Sequence, residues 1–214
     1  MDEEITIIDT KTRNEKIKSF FIDNKKKLIA FLVTVILIFV SFFGFQEYKK
    51  AKAKKISDEF NLIIIDYSNG KVDLIKERLK SIVLKKDPTY SPLSLYFLID
   101  NGLAESKEEV NKLFDVLIKK TPLEDEIRNL ILYKKALFNA DTINEGQILE
   151  ILNPVINSKS VWKSHALYLI AEYFYSKGEK QKSKEFFSQI ITLENANLDI
   201  LKETQKRLNR DLSE

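Results

Sequence analysis

An uncharged run of eighteen residues, 28–45 (LIAFLVTVILIFVSFFGF), constrains this chain more than any other feature. At 1.5 Å per residue, a helix of this length covers about 27 Å, close to the roughly 30 Å of a bilayer's hydrocarbon core. Lysines occupy positions 25–27 before the run, and Tyr48, Lys49 and Lys50 follow it, where long side chains can reach lipid headgroups. We therefore predict a transmembrane helix over residues 28–45.

Two alternatives to a membrane anchor are a buried core helix and a cleaved signal peptide. Lysine clusters at both ends of the run disfavour a core helix. The run is longer than the roughly 7–15 apolar residues of a signal peptide, and Gln46–Glu47–Tyr48–Lys49 provides no small-residue cleavage site. We interpret it as an uncleaved signal anchor, which divides the chain into a tail (1–27), a membrane span (28–45) and a domain (46–214).

The formal net charge of +3 is unevenly distributed. Residues 56–214 carry 23 basic and 25 acidic side chains, whereas residues 46–55 carry five lysines and one glutamate. A nucleic-acid-binding domain needs a basic face, so we expect no nucleic-acid partner, and lysines beside an apolar run indicate membrane lipid. Residues 1–27 hold seven Lys and Arg against five lysines after the run, a narrow positive-inside bias toward a cytoplasmic N-terminus.

Composition excludes several kinds of site. The chain has no cysteine and one histidine, so it can form neither a disulfide framework nor a zinc site built on thiolates or several imidazoles. With 5 glycines and 4 prolines it is poor in the residues that all-β folds place in turns. We predict an all-α protein that is not an enzyme, with no catalytic residue, metal or cofactor.

After residue 46, apolar residues recur at helical spacing between breaks such as Asn69–Gly70, Asn101–Gly102 and Lys177–Gly178. Comparable residue triplets in the second helices start at residues 75, 110, 148 and 183, at intervals of 35, 38 and 35 residues. The clearest unit matches the small and aromatic positions of a tetratricopeptide repeat. We predict an α-solenoid of about four helix pairs with a capping helix near 198–211, and a non-repeating helical bundle is the alternative. The predicted repeat-packing residues are Ala171, Gly178, Ser183 and Phe187.

Repeat arrays of this type bind partners along a concave surface lined by the first helix of each pair. The predicted register places apolar and aromatic side chains there, which suit an extended or helical peptide. The alternative is that these side chains pack in the core or against a neighbouring helix, and His165 is read as a packed or surface helix residue. The predicted groove residues are Phe60, Ile64, Tyr67, Leu95, Tyr133, His165, Tyr168, Glu172 and Tyr175.

A short tail, one signal anchor and a degenerate repeat domain together form a recognisable layout. With Tyr48, the lysine-rich exit from the membrane, and the unit Trp162–Ile191 containing Ala171 and Gly178, the chain resembles the YfgM-like family of ancillary subunits of the bacterial SecYEG translocon. Ser183 departs from the alanine common in that family.

The resemblance implies a single-pass protein of the bacterial inner membrane with its repeat domain in the periplasm. It also implies that the translocon, periplasmic chaperones and exported chains are the partners, with the domain holding or handing over polypeptides as they emerge. The alternative function is a scaffold for cell-envelope or cell-division complexes with the same topology.

Overall fold

The computed structural model describes residues 13, 15–72 and 74–212, and about half of the predicted tail lies outside this range. The described residues form helices and no strand, which confirms the all-α prediction. Residues 13 and 15–23 are helical. The remaining helices are α1 (Lys25–Ser68), α2 (Ile75–Leu84), α3 (Tyr90–Asp100), α4 (Lys107–Lys120), α5 (Asp125–Asn139), α6 (Glu145–Ile156), α7 (Lys163–Ser176), α8 (Lys180–Ile191) and α9 (Leu198–Asp211).

The chain divides into two compact units, Met1–Lys55 and Ile56–Glu214. In the first unit the apolar run is part of α1, and its side chains are exposed, for example Leu37 at 60% and Phe31 at 69%. This helix is long and apolar enough to cross a membrane, by length and composition, and the apolar window is not buried within the protein. The predicted long apolar helix near the N-terminus is therefore present.

Three helices of the second unit end in the same backbone motif. Gly70, Gly102 and Gly178 have φ of 78°, 63° and 79°, in the left-handed region that glycine enters without penalty. After each glycine, the next backbone N–H reaches back to a carbonyl five residues earlier, as from Glu179 to Phe174 at 2.9 Å. This is the Schellman arrangement, and it ends α1, α3 and α7.

Other helices begin at side-chain caps. Asn144 accepts from the backbone of Gln147, whose side chain returns a hydrogen bond to the backbone of Asn144, and the two form a capping box at α6. Ser106 caps α4 and Asn197 caps α9 in the same sense. These caps satisfy backbone donors that the first turn of a helix leaves unpaired, so the boundaries are set locally.

The core of the second unit consists of three neighbouring apolar clusters. The first joins the end of α1 to α2, α3 and α4 around Leu79, Leu98 and Phe114. The second joins α5, α6 and α7 around Leu152 and Phe174, and the third joins α7, α8 and α9 around side chains that include Phe187. From α2 onward, each helix packs on the next along the chain, and α2–α4, α5–α7 and α7–α9 also pack. From α2 onward, each helix is therefore held mainly by the helices that precede and follow it in the sequence.

Candidate functional site

Two of the predicted groove residues on α1 contact α3. Phe60 and Tyr67 are half-buried, and their rings lie 5.7 Å from the ring of Tyr90 and 5.1 Å from that of Phe97, both on α3. Ile64, between them, is also half-buried. These aromatic side chains thus form part of the packing between helices, as the structural alternative described.

Leu95 has a different position from the one predicted for it. Its exposure is 0%, and it belongs to the first apolar cluster. A residue that lines a binding groove must be accessible to a partner, so the prediction for Leu95 is wrong. Leu93, two positions earlier on α3, is 43% exposed instead. A register error in α3 accounts for the difference, because two residues turn the helix by about 200°.

Tyr133 and His165 meet in an aromatic cluster that includes Trp162. The rings of Tyr133 and Trp162 stack at 6.0 Å, and the imidazole of His165 lies 5.1 Å from the Trp162 ring. Burial raises the pKa of Tyr133 and lowers the pKa of His165, because in each case it disfavours the charged form. We call Tyr133, Trp162 and His165 the aromatic cluster; it fixes α5 against the start of α7.

Tyr168, Glu172 and Tyr175 on α7 face the last helix. Arg207 on α9 donates to Glu172 with two guanidinium nitrogens, one at 2.6 Å, and lies 4.8 Å from the centre of the Tyr175 ring. A third guanidinium nitrogen donates to Asp211 at 2.6 Å. Tyr168 also packs on Phe187 at 5.3 Å between ring centres. Arg207 thus connects Glu172 and Tyr175, two of the predicted groove positions, to α9.

The electrostatics of this contact follow from the pairing. The hydrogen bond with Glu172 raises the pKa of Arg207, and bonds from Arg210 and Arg207 hold the pKa of Asp211 well below its usual range. Burial raises the pKa of Tyr168. Arg207 is 18% exposed and Glu172 28%, so the pair is partly screened from water. The contact holds α9 against α7.

The repeat-packing residues lie inside the second unit. Ala171, Ser183 and Phe187 have exposures of 0%, and Gly178 ends α7 in the left-handed conformation. The two small residues belong to α7 and α8, which pack on each other. Small side chains at a helix crossing allow close approach of the two backbones.

A pocket of about 400 Å³ that the sequence did not indicate lies between α4, α5 and α6. Asn111 and Asn139 exchange two amide hydrogen bonds at its wall, at 2.9 and 2.8 Å. Burial alone would raise the pKa of Asp115, but hydrogen bonds from Lys135 and Lys119 outweigh it and lower the pKa. These groups use their hydrogen-bonding capacity within the protein, which is typical of a structural polar contact.

Among the described residues, no group of three or more histidine or carboxylate side chains is arranged to hold a metal ion. Apolar side chains remain accessible on α3 and α5, including Leu93 at 43% and Leu137 at 50% exposure. Leu137 is one turn beyond Tyr133 of the aromatic cluster.

A comparison with protein-family models found no match, and comparisons with curated proteins and with solved structures likewise found none. The resemblance to the YfgM-like family therefore stays a prediction from the sequence.

Proposed function

We propose that this chain is a membrane-anchored protein-binding module in which α1 anchors a tetratricopeptide-like solenoid. The observation that carries the proposal is the pairing of one exposed apolar helix with a unit whose helices pack sequentially. The same Schellman motif ends α1, α3 and α7, and the second helices begin at residues 75, 107, 145 and 180. Recurrent ends and near-regular intervals support a repeat rather than an irregular bundle.

The mechanism that we propose is tethering. Fixing a weak binder to the bilayer raises its effective concentration near partners in or at the same membrane. The partners are polypeptides held on the accessible side of the first helices, around Leu93, Leu137 and the aromatic cluster. In the form that the sequence resemblance suggests, the module lies at the periplasmic face of the inner membrane and holds or hands over exported chains beside the translocon.

The side of the membrane is tested first, with a reporter fused after Glu214. An enzyme that is active only outside the cytoplasm should report activity there, and one that is active only inside should be silent. The opposite pattern would overturn the periplasmic form of the proposal.

The binding surface is tested by photo-cross-linking in intact cells. A photoreactive residue at Leu137, 50% exposed on the first helix α5, should capture polypeptides. The matched control is Leu84, 56% exposed on the second helix α2. Recovery of exported chains and translocon subunits from the Leu137 position alone supports the proposal. Recovery of cell-wall enzymes without translocon subunits would instead favour the scaffold, and equal capture at both positions would contradict a specific surface.

A further inference from the structure

Five lysines follow the apolar run directly, and we call Lys49, Lys50, Lys52, Lys54 and Lys55 the lysine collar. All five are exposed, and all lie within the helical residues of α1. Successive helix residues advance by about 100°, so the five side chains point in directions that leave no sector wider than about 100° empty. The collar therefore surrounds the helix instead of marking one face of it.

The charges of the collar are largely available to an outside partner. Lys50 pairs with Glu47 at 2.9 Å, and the Lys49 ammonium lies 4.8 Å from the centre of the Phe45 ring. Within the part of the chain that the structure describes, Lys52, Lys54 and Lys55 make no hydrogen bond or ion pair. Five lysines around one helix, three of them without a hydrogen bond or ion pair, are unlike the mixed-sign surface of the second unit.

The collar begins in the headgroup layer of a bilayer. Counted from Phe45 at 1.5 Å per residue, Lys49 lies about 6 Å and Lys55 about 15 Å beyond the apolar run, while the polar layer on each side of a bilayer is roughly 5–8 Å thick. Lysine side chains can also lean back toward the layer, and an exposed charge acts over a Debye length of about 8 Å at physiological salt. A helix that crosses the bilayer through residues 28–45 therefore brings all five ammonium groups to that layer or within a Debye length of it.

We propose that the lysine collar binds the phosphodiester headgroups of anionic lipids and gathers them around α1. The inference depends on the membrane anchor of the proposed function and adds the lipid class that the anchor selects. A ring of separate ammonium groups suits several singly charged headgroups, one beside each lysine. A one-sided basic stripe would instead suit a single extended polyanion.

The test uses the full chain, whose lack of cysteine permits a single label at Ala51→Cys, an exposed position inside the collar. The labelled protein is reconstituted in vesicles of roughly 70% phosphatidylcholine and 30% phosphatidylglycerol. Energy transfer is measured to a trace of either lipid carrying the same acyl-chain dye. We expect transfer to phosphatidylglycerol to exceed transfer to phosphatidylcholine by at least about twofold, and the ratio to fall toward one in about 1 M salt, where the Debye length is about 3 Å.

Two variants in this background separate the collar from net charge. Replacing all five collar lysines by glutamine should bring the transfer ratio to about one. The matched control replaces five exposed lysines of the second unit by glutamine, with the same loss of charge, and should leave the ratio unchanged. Its positions are Lys86, Lys112, Lys120, Lys159 and Lys180.

Flotation of the vesicles distinguishes failure of the collar from failure of the anchor. Protein that floats with the vesicles but shows a ratio of one, or a ratio that the collar substitution leaves unchanged, overturns the collar alone. Protein that does not float overturns the anchor and the collar together. Retention of a fluorescent oligonucleotide that depends on the collar, together with a lipid ratio of one, would replace the lipid by nucleic acid and also overturn the proposal.

Discussion

Arg207 is the side chain that joins the last helix, α9, to α7. It serves two carboxylates and covers one tyrosine ring, and it does so with 18% of its side chain exposed. The pairing spans 35 residues of sequence, from α7 to α9. A bidentate arginine adds geometric specificity to attraction, so the contact orients the last helix as well as holding it.

Replacing Arg207 by alanine should lower the free energy of unfolding by about 1–3 kcal/mol, because a half-buried Glu172 loses its partner. Unfolding of the full chain in detergent is followed in urea by the fluorescence of Trp162, the single tryptophan. Arg210→Ala is the control, since Arg210 is 71% exposed, and should cause no resolved change. Equal effects of the two substitutions would contradict the assigned role.

The pairing of Asp115 with two lysines predicts that the stability of the folded protein decreases in acid. Hydrogen bonds from Lys135 and Lys119 lower its pKa in the folded protein, so its stabilising contribution is present above the unfolded value of about 3.9 and is lost as pH falls through the folded pKa. Because Asp115 is 43% exposed, the loss should be less than about 1 kcal/mol.

The measurement compares Lys135→Gln with the unaltered chain in urea titrations at about pH 7 and about pH 3. The variant should be less stable at the higher pH, and the difference between the two proteins should shrink at the lower one. A difference that stays constant with pH would rule out the ion pair as its cause.

At the scale of the element, the helices of the second unit follow from local signals. Glycines with positive φ end α1, α3 and α7, and side-chain caps begin α4, α6 and α9. The predicted breaks at Asn69–Gly70, Asn101–Gly102 and Lys177–Gly178 coincide with these ends because the signals act over a few residues.

Gly178→Ala should destabilise the protein by about 1 kcal/mol, because alanine pays a conformational cost at φ of 79°. No atom lies within 4 Å of the position that its Cβ would take, so the cost is one of backbone conformation and not of crowding. Gly146→Ala, near the start of α6, provides the opposite case and should be neutral or slightly stabilising. Urea titrations of both variants measure the difference, and a loss of the same size in both would contradict the argument.

Contacts between helices were predicted less well than the helices themselves. The aromatic positions Phe60, Tyr67 and Tyr133 were assigned to a groove, but Phe60 and Tyr67 pack on rings of α3 and Tyr133 packs on the ring of Trp162, just before α7. Trp162 and Arg207 were missed as partners, because their contacts join residues about 30 or more positions apart and no local period encodes them. Leu95 shows the related problem of register, since a shift of two residues along α3 exchanges its buried and exposed faces.

For the whole molecule, the decisive property is the exposure of a long apolar helix in a protein whose second unit already has its own core. A segment such as 28–45 is expensive to leave in water, since each fully exposed large apolar side chain costs about 1.5–3 kcal/mol relative to burial. A bilayer removes that cost without requiring any change in the second unit.

Replacing Leu37 and Ile38 by aspartate at the centre of the apolar run should remove the chain from the alkali-resistant membrane fraction, because each charge costs about 3 kcal/mol to insert. The double alanine variant should remain membrane-bound.

The unaltered protein recovered from membranes should have an intact mass of 25.0 kDa. A smaller mass, corresponding to a chain that begins after residue 45, would establish a cleaved signal peptide and refute the anchor.

Sequential packing from α2 to α9 has a consequence for how the molecule comes apart. The three apolar clusters follow one another along the chain. Unfolding at one end of the second unit therefore leaves the more distant clusters packed. Amide hydrogens should therefore exchange in a gradient, with α9 fraying first and the interior pairs protected longest. A protease that trims the carboxyl end would shorten the protein by steps, leaving a smaller remnant still folded.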